Sequence, residues 1–217
     1  MTERTSYLLP NLVILGRVLL AFVTVGLYFL AAPWAAATAV GLTVVVIAMD
    51  GLDGLLARRL DVSSELGGVL DITADRIVEH IFWISFAVAG VVGLWVPLVV
   101  MTRSFLVDTA RGLALAHGKS AFGSDSMMRS PLSQFLTGSR FMRNVYGVAK
   151  VSAFVLLGAV IAASRSSEAG TPVLSVGSLQ WLELAAQVSV WVAVVLCVLR
   201  GIPVLLDSRA YLEPASS

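Results

Sequence analysis

Charged side chains are scarce in this 217-residue sequence: Asp, Glu, Lys and Arg together supply 13% of it, against about a quarter in soluble domains. So little charge cannot cover a globular surface in contact with water, which excludes an ordinary soluble domain and turns most of the exterior toward lipid. A hydrophobic share of 58% and a mean hydropathy of +0.89 point the same way. An excess of either sign is missing too. Fifteen Lys and Arg face fourteen Asp and Glu, a net charge of +1, so neither a polybasic nucleic-acid binder nor an acidic disordered tail is present. Cysteine occurs once, at Cys197 inside an apolar run, which leaves no disulfide framework and no Cys-based zinc site within one chain. The opening stretch MTERTSYLLPNLVILGRVLL lacks a small-residue cleavage signature and is expected to be retained.

What the sequence has in abundance is long apolar runs. A membrane-crossing helix needs about 20 mostly apolar residues, and division by that length and by Pro and Gly breakers predicts an all-α integral membrane bundle of six spans, read as a single domain over 1–217. The expected spans cover about 10–31, 34–57, 69–92, 94–116, 140–163 and 178–205. A break at Pro33 separates the first two, the Gly90 to Gly93 region separates the third from the fourth, and the polar stretch 117–139 is the one loop long enough for a lid or docking surface. Arg4, Arg58, Arg59, His117, Lys119, Arg129, Arg140, Arg143 and Arg209 collect on one side of this arrangement, whereas the other side holds little beyond Arg165 and Glu168. By the positive-inside rule both termini are expected to be cytoplasmic.

The chemistry concentrates between Asp50 and Asp75. Asp50 and Asp53 are three apart and Asp71 and Asp75 four apart, so each pair projects from one face of its helix, and the short connection at 58–68 makes the two helices antiparallel neighbours. Four carboxylates converging at the cytoplasmic rim repel one another unless cations neutralise them, and an all-oxygen donor set suits paired hard divalent ions such as Mg²⁺, Mn²⁺ or Ca²⁺. Gly54 and Ala57 leave room for a large ligand, Arg58 offers a planar fork for phosphate oxygens, and Gly67 lets the backbone come close where the third helix opens. The set describes a metal-bridged diphosphate site in which one carboxylate is left to take a proton from an attacking hydroxyl.

At all eight fixed positions this segment resembles the signature of the CDP-alcohol phosphotransferase (CDP-alcohol phosphatidyltransferase) family, D-x2-D-G-x2-A-R-x8-G-x3-D-x3-D, and Pro10-Asn11 followed by Arg17 is similar to the family's first-helix pattern. The resemblance implies six transmembrane helices, a homodimer, and a cytoplasm-facing cavity, in the inner membrane if the source is prokaryotic. There the phosphatidyl group of CDP-diacylglycerol passes to a small alcohol and CMP leaves. It implies two divalent ions, Mg²⁺ or Mn²⁺, held by Asp50, Asp53 and Asp71. Asp75 takes the part of the catalytic base, with metal contact, and Asp50, Asp53, Gly54, Ala57, Arg58 and Gly67 bind CDP. Membrane lipids are implied partners and nucleic acid is not.

The second half is expected to choose the acceptor. Arg103, Asp108 and Arg111 fall within an arc of about 140° on the fourth helix, and Arg143 and Lys150 share a face of the fifth span. Arg103, Arg111, Arg143 and Lys150 are candidate ligands for the phosphate of a phosphorylated alcohol; snorkelling to the headgroups or pairing with Asp108 would serve them equally. The run from Thr102-Arg103 through Arg111 to Gly118-Lys119, with Gly147 and Lys150, is most similar to the phosphatidylglycerophosphate synthase branch, which makes glycerol 3-phosphate the expected acceptor. Ser104 stands where that branch has Glu, and Val151 and Phe154 replace its Thr and Gln. An inositol-phosphate acceptor is the alternative within the family. Outside it, acidic residues at a bundle edge also suit a divalent-cation transporter, but spans one to four carry no acidic side chain in their outer halves. Glu79 and His80 are read as a polar pair buried between helices.

Overall fold

The computed structural model describes residues 3–60, 65–116, 128 and 130–209, and the side chains of 11–50, 67–116, 128 and 130–209. Among them the chain is all helical: α1 (Glu3–Tyr28), α2 (Pro33–Leu60), α3 (Glu65–Val88), α4 (Trp95–Ala116), α5 (Pro131–Gly138), α6 (Arg140–Glu168) and α7 (Val176–Ser208). Among the described residues four stretches are long and apolar enough to cross a membrane, Asn11–Tyr28, Pro33–Asp50, Arg140–Glu168 and Val176–Ser208, and the chain is a membrane protein. With 24 and 22 residues, α3 and α4 have the length of spans. They stand apart from those four by the charges they carry, Asp71, Asp75, Arg76 and Glu79 on α3 and Arg103, Asp108 and Arg111 on α4.

Local chemistry fixes the boundaries. Pro33 occupies the first position of α2, where its missing N–H is not needed. The third helix stops at Val88 rather than 92 because Gly90 takes φ 76°, a left-handed conformation open to glycine. Gly90 N–H then donates to the Ala87 carbonyl and Val91 N–H to that of Phe86, both at 3.1 Å, closing the helix end as a Schellman cap. The stretch 117–139, expected as a single polar loop, instead ends in α5. Ser130 caps this helix by accepting from Ser133 N–H at 3.0 Å, and Pro131 opens it.

The chain divides into two compact units, one of residues 1–94 and 151–187, the other of 95–150 and 188–217. In the first, α1 packs on both α2 and α3. Ala21, Ala35, Ala36 and Ala39 are fully buried there, small side chains that let helix backbones approach closely. Its core is aromatic: Phe154 of α6 lies 5.2 Å from Phe82, 5.8 Å from Phe86 and 4.9 Å from Trp83, ring centre to ring centre, and Tyr28 lies 5.7 Å from Phe86. Outward from this core α1 presents Leu15, Leu19 and Phe22, all more than half exposed, as expected of a face solvated by acyl chains. The second unit is centred on Val107, Ala110, Ala114, Met128 and Val204, with Trp95 and Trp191 packed 4.8 Å apart.

Candidate functional site

Between Arg4 and Asp50 the sequence carries one charged side chain, Arg17, in the apolar stretch of α1. A guanidinium cannot face lipid cheaply, and Arg17 turns inward until it is 1% exposed. Its Nη1 donates to Asp50 Oδ1 of α2, its Nη2 donates to Asp75 Oδ1 of α3 at 2.7 Å, and Asp71 Oδ1 lies 3.8 Å from Nη2. The cation is shut in while the carboxylates are not: their side chains are 50%, 45% and 45% exposed for Asp50, Asp71 and Asp75. The cluster therefore has a buried positive floor and an open negative rim.

One oxygen from each of Asp50, Asp71 and Asp75 can be chosen so that all lie within 4.8 Å of one another. Three carboxylates against a single guanidinium leave the group net negative, and Asp71 Oδ1 is buried while accepting no hydrogen bond. An all-oxygen donor set with a buried oxygen that accepts no hydrogen bond fits a hard divalent cation. Gly67 lies in the first turn of α3, partly buried, four residues before Asp71 on the stripe that continues to Asp75. Asp53, Gly54, Ala57 and Arg58 lie on the helical backbone of α2, and their side chains are outside the described residues. Glu79 and His80 are buried, and Glu79 pairs with Arg76 at 3.5 Å.

The second unit gathers cations around one ring. Lys150 Nζ lies 5.7 Å and Arg200 Cζ 5.3 Å from the centre of Tyr146, so two cations share its π surface. Arg200 is 8% exposed and donates from Nε to the Leu136 carbonyl of α5 at 3.2 Å. The charges of Arg103 and Arg143 also bear on Arg200. Arg103 crosses directly over Gly201, where an added Cβ would sit 2.8 Å from its Cγ and 2.9 Å from its Nε. Three of the four expected acceptor cations, Arg103, Arg143 and Lys150, thus belong to one neighbourhood. Arg111 stands on α4 eight residues beyond Arg103. A groove of about 370 Å³ beside Arg103 is lined by Leu98, Leu106, Val198, Ile202 and Leu205.

Two side chains central to these groups had no role assigned from the sequence. Arg17 figured only in the first-helix pattern, although a lone charge in an apolar helix is itself a signal that partners exist elsewhere. Arg200 carries the same signal, isolated in the apolar run of α7. Phe154 has a plain explanation as well: it fills the aromatic core of the first unit, where the glutamine of the related branch would need polar partners.

The sequence profile of the family described as CDP-alcohol phosphatidyltransferase matches residues 7–199. Among curated relatives, a Mycobacterium tuberculosis protein named "Putative cardiolipin synthase" is 28% identical over 138 residues, 64% of this chain and 65% of its own. A "CDP-diacylglycerol--glycerol-3-phosphate 3-phosphatidyltransferase" of Pseudomonas fluorescens is 33% identical over 106 residues, 48% of this chain and 54% of its own. A "Cardiolipin synthase (CMP-forming)" of Streptomyces coelicolor is 30% identical over 115 residues, 51% of this chain and 53% of its own. The chain thus spans between about half and just under two thirds of the length of these relatives.

Proposed function

The chain belongs to the CDP-alcohol phosphatidyltransferase family, and from that premise we propose that it transfers the phosphatidyl group of CDP-diacylglycerol to the hydroxyl of a phosphorylated alcohol, with release of CMP. The observation that carries the proposal is the convergence of Asp50, Asp71 and Asp75 on one small volume over the buried Arg17. Asp50, Asp53 and Asp71, with a further contact from Asp75, would hold two divalent ions, Mg²⁺ or Mn²⁺. When bound, such ions polarise a diphosphate and offset the charge that develops on the leaving phosphate.

The rest of the work falls to the chain's own side chains. Asp53, Gly54, Ala57, Arg58 and Gly67, with Asp50, bind the CDP portion of the donor, Arg58 through its planar fork and the small residues by leaving space. Asp75 accepts the proton of the attacking hydroxyl as its oxygen bonds to the phosphatidyl phosphorus and the bond from that phosphorus to CMP breaks. Arg103, Arg111, Arg143 and Lys150, joined by Arg200, bind the acceptor's phosphate. The enzyme acts as one domain over residues 1–217, with α3 and α4 completing six spans, both termini and the site on the cytoplasmic side, and a homodimer as its assembly.

Glycerol 3-phosphate is the first acceptor to test, in keeping with the Pseudomonas relative. A second reading rests on the relatives named cardiolipin synthases and on the apolar groove beside Arg103: the acceptor is then itself a phospholipid, its phosphate on the cations and an acyl chain in the groove. The deciding assay gives the purified protein CDP-diacylglycerol and Mg²⁺ with glycerol 3-phosphate, phosphatidylglycerol, inositol phosphate, serine or inositol in separate reactions, and follows CMP. Fastest turnover with a phosphate-bearing acceptor is the expected result. No CMP release with any acceptor, together with cation flux in proteoliposomes, would replace the enzyme with a transporter.

A further inference from the structure

A guanidinium lodged among carboxylates is a cation site that the protein has already filled. Arg17 touches two helices at once, bonding one oxygen of Asp50 on α2 and one of Asp75 on α3. These are two of the three side chains whose oxygens come within 4.8 Å of one another, so a divalent ion held by the cluster would draw on carboxylates that Arg17 already engages. Exposure separates the partners. The arginine side chain is 2% exposed and the three carboxylates 45% to 50%, so Arg17 is held in place from within while an ion enters from the open side. In a purely structural ion pair nothing requires the acidic partners to stay open. Without any cation, three carboxylates at this spacing repel one another.

We infer that Arg17 is the resident counter-ion of the cluster, a positioning residue that holds Asp50 and Asp75 together before a divalent ion binds and competes with that ion for them. The inference rests on the reading that Asp50, Asp71 and Asp75 bind divalent metal. It has two consequences of opposite direction. Loss of the Arg17 charge weakens the metal-free protein, whose carboxylates lose their bridge, and strengthens metal binding, because the ion no longer displaces a charge-assisted hydrogen bond. A residue that merely braced the metal site would weaken both.

The test uses the full chain in detergent micelles with Mn²⁺ as the probe, free Mn²⁺ being read by electron paramagnetic resonance and unfolding temperature being measured in EDTA and in saturating Mn²⁺. Arg17→Met, which keeps length and removes charge, is expected to bind Mn²⁺ about tenfold tighter or more than the unaltered protein. Its unfolding temperature should fall in EDTA, and the gain on adding Mn²⁺ should be larger. Arg17→Lys keeps the charge but loses the planar fork whose two nitrogens reach Asp50 and Asp75 separately, and should tighten Mn²⁺ binding by a smaller factor. If Arg17→Met yields no folded protein, Arg17→Lys decides alone. An unchanged or weaker Mn²⁺ affinity in the folded variants overturns the inference while leaving the metal reading intact. Failure of the unaltered protein to bind Mn²⁺ overturns the metal reading, and this inference with it.

Discussion

The hydroxyl of Tyr28 in α1 closes on Gly158 in α6 so nearly that a Cβ added at Gly158 would lie 2.1 Å from the phenolic oxygen and 2.9 Å from Cζ. The tyrosine cannot step aside. It is 1% exposed, its ring meets Phe86 edge-on at 5.7 Å, and its hydroxyl is 2.9 Å from that of Thr43. Gly158→Ala should therefore destabilise the protein by about 1–3 kcal/mol, the usual cost of overpacking. Denaturant unfolding in micelles measures it. Tyr28→Phe removes the closest atom and leaves Cζ, so the double variant should recover part of the loss, visible as coupling in a double-mutant cycle.

Asp71→Asn should lower CMP release at least about a hundredfold at any Mg²⁺ concentration, since a neutral amide is a poor substitute for a carboxylate proposed to hold the ions, whose buried oxygen accepts no hydrogen bond. Folding should survive, because Asp71 is the most distant of the three carboxylates from Arg17, at 3.8 Å. Near-normal turnover in a folded sample would remove Asp71 from the metal site.

Asp75→Asn and Asp50→Asn should separate proton transfer from donor binding. Loss of the base is expected to reduce turnover by about 10²- to 10⁴-fold with CDP affinity retained, whereas loss of Asp50 should abolish both. Calorimetry with CDP and Mg²⁺ distinguishes them. CDP binding lost as fully in Asp75→Asn as in Asp50→Asn would make Asp75 an essential ligand instead.

Arg103→Ala, Arg111→Ala, Arg143→Ala and Lys150→Ala should each raise the KM for the phosphate-bearing acceptor about ten- to a hundredfold, with the KM for CDP-diacylglycerol little changed. Arg200→Ala should do the same and also lower stability by about 1 kcal/mol, because Arg200 Nε bonds the Leu136 carbonyl as well. Unchanged acceptor KM values across the set would return these residues to a structural role.

How much of this was readable beforehand depends on the range of each interaction. Asp50, Asp71 and Asp75 were legible because i,i+3 and i,i+4 spacing is a property of one helix, readable without a fold. The pairing of Arg17 with Asp50 and Asp75 spans 33 and 58 positions and exists only once α1 lies on α2 and α3. Arg200 was hidden differently: α7 is apolar on most sides, so no periodicity marks which face turns inward. Helix α5 could have been found from Ser130-Pro131 alone, a capping residue followed by the residue best tolerated at a first turn. Helix ends near Pro33 and Gly90 were placed to within a few residues, as their breakers act locally.

The burial of Arg17 also bears on how the protein is made. Helix α1 precedes α2 and α3 in the chain and meets the bilayer before them, with a lone guanidinium in an otherwise apolar stretch, a charge that costs about 2.5–3.5 kcal/mol near a span's centre. The carboxylates that relieve this cost lie on α2 and α3 and reach the membrane later. Until then α1 is only weakly committed to its position, free to lean toward the headgroups or be held by the insertion machinery. Helix α1 is thus fully accommodated only after α2 and α3 have been made and have packed against it.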